Sequence, residues 1–118
     1  MNLKALREEV LEANLELVRR GLVIFTFGNA SGINADRDRV VIKPSGVPYD
    51  RLTPVDLVVT DLDGKILHKP DTDYGINVSG YVIHGAIHRA RPDVACVLHT
   101  HTRAGMAVAA MKCGLLPL

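Results

Sequence analysis

Two histidines, His99 and His101, are the residues of this chain whose type and spacing most directly suggest chemistry. They follow the apolar pair Val97-Leu98, which is typical of a buried strand. Because residues i and i+2 of a strand face the same side, both imidazoles can point at one object. A metal ion is the economical object, since zinc commonly takes neutral imidazole nitrogens as ligands. The alternative, two ordinary polar residues at a strand end, stays open on this spacing alone.

Two turns that contain glycine and serine are candidates for an anion pocket. The first, residues 28–32 (GNASG), follows a predicted strand and combines accessible backbone N–H groups with Asn and Ser side chains. The second, residues 43–46 (KPSG), repeats this pattern after another strand and adds a cation. Neither turn matches the Walker or Rossmann pattern. Each also fits an ordinary tight turn, so a shared anion pocket is a hypothesis.

A second histidine pair, His84 and His88, has the i, i+4 spacing that could also hold a metal on a helix. The metalloprotease motif fails because Gly85 stands where a glutamate is needed. We therefore interpret both as surface or capping histidines. Three residues of a polar loop could complete a metal site, although their spacing does not require it: His68, Asp71 and Asp73.

The elements that must position these residues can be read from periodicity and turn chemistry. Residues 3–17 predict an amphipathic helix that Gly21 ends. Residues 22–27 predict a strand leading into the first turn, and residues 40–42 predict one leading into the second. Residues 33–34 are expected to begin a further strand.

The second half of the chain predicts a hairpin followed by two helices. Thr53-Pro54 indicates a single helical turn, and residues 57–60 and 65–68 pair as a hairpin. A loop over residues 69–77 precedes a helix over 78–90. Four apolar residues of this helix are expected to face inward: Val82, Ile83, Ala86 and Ile87. The histidine strand then spans residues 94–98, and Thr102 caps a last helix over 103–112.

Composition bounds the class of protein. The 118 residues are 47% apolar and 23% charged, which is typical of one globular domain. The net charge of +1 provides no overall field for nucleic acid or an anionic membrane. No signal peptide or membrane-spanning run is found. Cys96 and Cys113 are expected to be buried, reduced thiols of a cytoplasmic protein.

Taken together, these stretches resemble the class II aldolase/adducin family over nearly the whole chain. Five segments carry the resemblance: LEANL at 11–15, TFGNAS at 26–31, VIKPSGV at 41–47, ARPDV at 90–94 and HTHT at 99–102. Up to residue 67 the chain is most similar to the ribulose-phosphate epimerases of this family, and from residue 80 onward to its adducin-like branch. A recombined or designed sequence is therefore a further alternative.

The resemblance implies an α/β fold in three layers, a mostly antiparallel sheet between helices, with residues 1–118 forming the N-terminal portion of a single domain. It implies a zinc-dependent, cytoplasmic, homotetrameric enzyme that acts on sugar phosphates by retro-aldol cleavage or 4-epimerisation through a metal-stabilised enediolate. The zinc ligands would be His99 and His101, and Lys43 would lie beside the reacting end of the substrate. The implied substrate-binding residues are Gly28, Asn29, Lys43, Ser45, Gly46 and Ser79.

Two departures from the family pattern limit this expectation. Gly80 stands where the family often has a carboxylate, and Gly80 offers no acid or base. Family members are also longer, and their third zinc histidine and other catalytic residues would lie beyond Leu118, so no catalytic residue is identifiable here. We expect a truncated, poorly active chain. The alternatives are a non-catalytic, adducin-like interaction module and a fragment without evolved activity.

Overall fold

The computed structural model describes residues 3–72 and 78–117, apart from the side chain of residue 79. These residues form three helices and five strands. Their order is α1 (Lys4–Arg19), β1 (Asn29–Ile33), β2 (Val40–Ile42), β3 (Val58–Thr60), β4 (Ile66–His68), α2 (Val78–Ala90), β5 (Cys96–His99) and α3 (Arg103–Ala110). Two 3-10 turns, Tyr49–Arg51 and Pro54–Asp56, lie between β2 and β3.

The five strands form one sheet in the order β4-β3-β2-β1-β5, and every neighbouring pair is antiparallel. The register joins β1 to β5 through Asn29 and His99, and joins β1 to β2 through Ser31 and Ile42. The long connection through α2 returns the chain to the β1 edge. β5 therefore ends beside the beginning of β1.

Helices cover both faces of this sheet, which confirms the predicted three-layer α/β/α class. Helix α1 packs on one face, where Val10 joins a buried cluster with Val41 and Val59. Helix α2 packs on the other face, where Tyr81 contacts a cluster with Ile42. Side chains alternate along a strand, so neighbouring residues of β2 serve opposite layers.

Asn14 of α1 is joined directly to the backbone of β1. Its Nδ2 donates to the carbonyl of Ala30 at 3.1 Å, and its Oδ1 accepts from the Ala30 N–H at 2.8 Å. Ala30 is paired with Leu98 of β5, but the pairing of β1 with β2 begins only at Ser31. The Asn14 side chain therefore takes the place of a β2 partner at Ala30. Asn14 is fully buried, and these bonds fix the register of α1 on the sheet.

The prediction of a strand over residues 22–27 is wrong. Phe25 has a φ of 52°, and the Phe27 N–H closes a turn onto the Ile24 carbonyl. The Leu22 carbonyl is bound instead by the N–H of His101 at 2.9 Å. Hydropathy indicated a strand here, but the tertiary contact with the histidine segment decided the conformation.

The predicted GNASG turn is also mostly wrong, because residues 29–33 form β1. Its small residues serve close packing. A Cβ on Gly32 would lie 2.9 Å from Val10 Cγ2 of α1, so only glycine lets that helix approach the strand. Gly28 alone is in a turn conformation, with a φ of 76°.

The prediction for the inward face of α2 is wrong as well, although its bounds are as predicted. Tyr81, His84 and His88 are buried, whereas the four apolar residues expected inward, Val82, Ile83, Ala86 and Ile87, are exposed. The reason is the Ser31 hydroxyl on the sheet beneath α2, since a buried hydroxyl requires hydrogen-bond partners that apolar side chains lack.

The remaining sequence predictions vary in outcome. The hairpin of β3 and β4 is confirmed, as is the cap of α3, where Thr102 Oγ1 accepts from the Gly105 N–H at 2.9 Å. Cys96 and Cys113 are free thiols as predicted, but both are exposed rather than buried. Cys96 is exposed because β5 is an edge strand, and Cys113 lies beyond the end of α3. Within the described residues, no helix combines the length and apolar character that a membrane span requires.

Candidate functional site

Gly28 brings the beginning of β1 close to the end of β5. A Cβ on this residue would overlap the Val23 side chain and lie 2.9 Å from the His99 carbonyl oxygen. With its φ of 76°, the position requires glycine for both conformation and space. The close approach places the histidine segment beside the two predicted turns.

A cavity of about 270 Å³ lies at this junction. Both turns and both histidines of the first pair contribute to it, although Gly28 and His101 are 73 residues apart in sequence. The lining residues are Thr26, Phe27, Gly28, Asn29, Lys43, Pro44, Ser45, Gly46, His99 and His101. The structure thus brings together seven of the eight residues expected at the site, and the side chain of the eighth, Ser79, lies outside the described part of the chain.

Lys43 is the cation of this cavity and is only 3% exposed. Its Nζ donates to the carbonyls of Thr26 at 2.9 Å and Pro44 at 3.3 Å and lies 4.5 Å from the ring centre of Tyr49. No carboxylate of the described chain forms a salt bridge with it. Burial lowers the pKa of Lys43 to about 8. A buried ammonium that only carbonyls and a ring stabilise is suited to an anion.

Tyr49 stabilises the backbone beside Lys43. Its hydroxyl lies 2.8 Å from the Phe27 carbonyl oxygen and 3.0 Å from that of Gly28, so its single proton can be donated to either, and burial raises its pKa to about 12. The phenol therefore stays protonated and holds the first turn in place beneath Lys43.

Asn29 adds an unsatisfied polar atom to the same cavity. Its side chain is buried, and its Oδ1 has no hydrogen-bond partner within the described residues. Buried amide groups are almost always hydrogen-bonded in proteins, and an amide oxygen only accepts, so Asn29 Oδ1 is suited to a hydrogen-bond donor of a ligand.

The rings of His99 and His101 lie close together, with centroids 4.6 Å apart. His99 is the last residue of β5, and His101 lies beyond it, where its ring packs 5.4 Å from that of Phe27. Burial and the neighbouring His101 lower the pKa of His99. Imidazole nitrogens are among the ligands that zinc takes in proteins, so this pair could supply two of them. Within residues 3–72 and 78–117, no group of three or more potential ligands completes such a site.

His84 and His88 are not the surface or capping residues that the sequence suggested. They are 2% and 1% exposed, and both hydrogen-bond to Ser31, with Nδ1 of His84 at 2.6 Å and Nε2 of His88 at 3.0 Å from Oγ. His84 also lines a second cavity, of about 340 Å³, together with Gly80 and His99. The sequence contained a signal for this buried face, because Gly80, His84 and His88 have the i, i+4, i+8 spacing that places residues on one face of a helix.

The loop candidates lie elsewhere. His68 is on β4, at the opposite edge of the sheet from β5, and Asp71 follows it on the surface. Asp73 lies outside the described residues. The sheet order therefore separates His68 from the histidine pair by three intervening strands.

The antiparallel sheet between helical layers, with this cavity at one end, defines a class II aldolase type of fold. The model of the class II aldolase and adducin N-terminal domain matches residues 8–118. The chain therefore belongs to the class II aldolase/adducin family, as its motifs predicted.

Both branches noted in the sequence are found among its relatives. Alpha-adducin of Rattus norvegicus is 44% identical over 73% of this chain and 12% of its own length. The L-ribulose-5-phosphate 4-epimerase of Salmonella paratyphi B is 39% identical over 92% of this chain and 49% of its own length. A crystal structure of an aldolase II superfamily protein from Pseudomonas syringae matches with a TM-score of 0.83 at 38% identity, over 100% of this chain and 48% of that one. The chain spans half or less of the length of these relatives.

Proposed function

We propose that this chain provides the substrate-binding half of a zinc-dependent sugar-phosphate aldolase or 4-epimerase. One observation carries the proposal: the buried cation Lys43 and the paired imidazoles of His99 and His101 line the same cavity. An anion subsite beside a metal half-site suits a substrate that has a phosphate at one end and a carbonyl at the other. The similarity to an L-ribulose-5-phosphate 4-epimerase supports this substrate class.

In the proposed mechanism the phosphate lies against Lys43, the side-chain NH2 group of Asn29 and the turn at Ser45 and Gly46. The Lys43 ammonium neutralises part of its charge, and its low exposure excludes competing water. Held at this end, the substrate is oriented with its reacting carbons toward the histidines. A zinc ion held by His99 and His101 would supply a Lewis acid for the carbonyl oxygen.

Two imidazoles hold zinc less firmly than the three protein ligands that are usual in catalytic sites. We therefore propose that the chain by itself is impaired in metal affinity and turnover. We further propose that residues 1–118 act as the N-terminal portion of one domain, in a cytoplasmic homotetramer.

An adducin-like interaction module is the second candidate function. Two observations favour it. The chain is 44% identical to rat alpha-adducin over 73% of its length, and α2 has an exposed apolar face formed by Val78, Val82, Ile83 and Ile87. In that case the cavity would be a structural remnant, and the surface of α2 would carry the function.

Zinc binding by the purified chain tests the enzyme proposal. Calorimetric titration is performed in a C96S/C113S background, so that the exposed thiols do not compete for metal. We expect a 1:1 zinc complex that H99A and H101A abolish, whereas H68A, on the far edge of the sheet, leaves it unchanged. Sulfate, a phosphate mimic, is expected to bind the same chain. This sulfate binding is expected to be lost in K43M.

Turnover is then followed by NMR with L-ribulose 5-phosphate in the presence of zinc. A folded chain that binds neither zinc nor sulfate would overturn the enzyme proposal and favour the interaction module. Zinc binding that survives in both histidine variants would equally contradict the assignment of the metal site.

A further inference from the structure

Four aromatic rings form a continuous row that runs from the protein surface into the Lys43 cavity: Phe25, Phe27, His101 and His99. The centroids of successive rings are 5.8, 5.4 and 4.6 Å apart. These distances lie in the range in which aromatic rings attract one another. Phe25 is exposed to solvent, whereas the other three residues line the cavity. The row therefore connects a surface turn to the imidazole pair.

The sheet does not hold His101 directly, because this residue lies beyond the end of β5. Its N–H donates to the Leu22 carbonyl at 2.9 Å. Within residues 3–72 and 78–117, no hydrogen bond reaches its imidazole, and its ring contacts are those with Phe27 and His99. A histidine that binds a metal usually has its second ring nitrogen hydrogen-bonded, which fixes the orientation of the ring. At His101 the contact with Phe27 takes the place of that hydrogen bond.

The backbone that carries the Phe27 ring is itself held on both sides. The Phe27 N–H donates to the Ile24 carbonyl at 3.0 Å, and its own carbonyl oxygen lies 2.8 Å from the Tyr49 hydroxyl. The preceding carbonyl, that of Thr26, accepts from Lys43 Nζ at 2.9 Å. Phe27 is therefore a fixed support for the ring that packs against it.

The turn that presents Phe27 has an unusual backbone conformation. Phe25 has a φ of 52°, in a region that residues other than glycine rarely adopt. Such residues persist where the surrounding contacts determine the conformation, and they concentrate at functional sites. Here those contacts are the bonds that Thr26 and Phe27 make to Lys43 and Tyr49. The strained turn thus brings the Phe27 ring against His101.

We propose that Phe27 is a positioning residue that holds the His101 imidazole beside that of His99, so that the pair is already arranged when a metal ion binds. The role of the pair as zinc ligands rests on the proposed function. The orientation of His101 by Phe27 is a property of the metal-free chain and does not depend on it.

The orientation is tested by NMR of the metal-free chain. Three-bond couplings report the χ1 rotamer of His101, and NOEs between ring protons report its contacts with Phe27 and His99. We expect a single rotamer in the unmodified chain and in F27Y, which keeps the ring, and averaged rotamers in F27A and F27L. An averaged rotamer in the unmodified chain would overturn the proposal, as would the same single rotamer in F27A.

The matched control is L67A, which also shortens a half-exposed apolar side chain. Leu67 is 43% exposed and Phe27 is 49% exposed, but Leu67 lies on β4 at the opposite edge of the sheet. L67A is expected to leave the His101 rotamer unchanged, and rotamer averaging in this control would contradict a specific role of Phe27. Should F27A fail to fold, F27L decides in its place.

The consequence for the metal site is tested by calorimetric zinc titration in the C96S/C113S background. Because a group that orients a ligating histidine contributes to metal affinity, we expect F27A to bind zinc about tenfold more weakly. F27Y and L67A are expected to retain the affinity of the parent chain. Equal zinc affinity in F27A and the parent would show that Phe27 does not prepare the pair for a metal. A parent chain that binds no zinc would contradict the proposed function, while the His101 rotamer would still decide the role of Phe27.

Discussion

Asn14 and Ala30 are joined by two hydrogen bonds, in which a helix side chain satisfies both backbone polar groups of a strand residue. This pair anchors α1 to β1 one residue after Asn29, which lines the Lys43 cavity. The stability of the sheet and the shape of the candidate site therefore depend on the same contact.

Replacing Asn14 with alanine tests this anchor. The N14A variant leaves the N–H and the carbonyl of Ala30 buried without their partner, which costs roughly 2–4 kcal/mol of unfolding free energy. Urea denaturation measures the loss. The matched control is E9A on the exposed face of the same helix, for which we expect a change within about 0.5 kcal/mol. Similar midpoints for the two variants would contradict the role assigned to Asn14.

Gly28 is predicted to be required for space as well as for backbone conformation. In G28A the new methyl group overlaps Val23 and presses on the His99 carbonyl, so we expect a loss of about 3 kcal/mol or more and weaker zinc binding. Gly64 has a comparable φ of 84° with nothing near its Cβ position, so G64A carries the backbone penalty alone, about 1 kcal/mol. Thermal or urea unfolding of both variants separates the two effects. Equal losses would show that the close approach to His99 is unimportant.

Anion binding by the Lys43 cavity is predicted to weaken with rising pH. The Lys43 pKa lies at about 8, below its ordinary value, so the ammonium is present below that pH and is lost above it. Sulfate keeps its charge through this range, and we expect its affinity to fall about tenfold between pH 7 and pH 9. The exposed-lysine control K65M should retain this dependence, whereas K43M should bind weakly at every pH. A flat profile for the unmodified chain would contradict the prediction.

The buried His84 predicts that the chain loses stability in mild acid. Its pKa is about 4 when folded and near 6.5 when unfolded, so the unfolded state binds more protons between these values. The free energy of unfolding is therefore not reduced by His84 protonation above about pH 6.5. It decreases by roughly 1–3 kcal/mol as the pH falls to 4. Urea midpoints at pH 7.5 and pH 4.5 measure the change. H84Q is expected to reduce the difference, and an equal pH dependence in H84Q would assign it to other groups.

The sequence was sufficient for the elements with strong local signals. The amphipathic periodicity of α1, the capping chemistry of Thr53 and Thr102, and the β3–β4 hairpin each depend on residues close together in the chain, and all three are present in the structure. Local rules failed at residues 22–27, where the Leu22 carbonyl binds the N–H of His101 from the far end of the chain.

The features of the candidate site also divide into those that the local sequence predicts and those that only the tertiary structure decides. The sequence by itself determined the chemical inventory, namely an imidazole pair, a lysine, and glycine- and serine-containing segments, because residue types and short spacings are local properties. Only the tertiary structure decided that Lys43 and His101 share one cavity and that α2 turns His84 and His88 toward Ser31. The physical reason is that a buried hydroxyl on a strand must be satisfied by groups from another layer, and hydropathy along the chain contains no information about that partner.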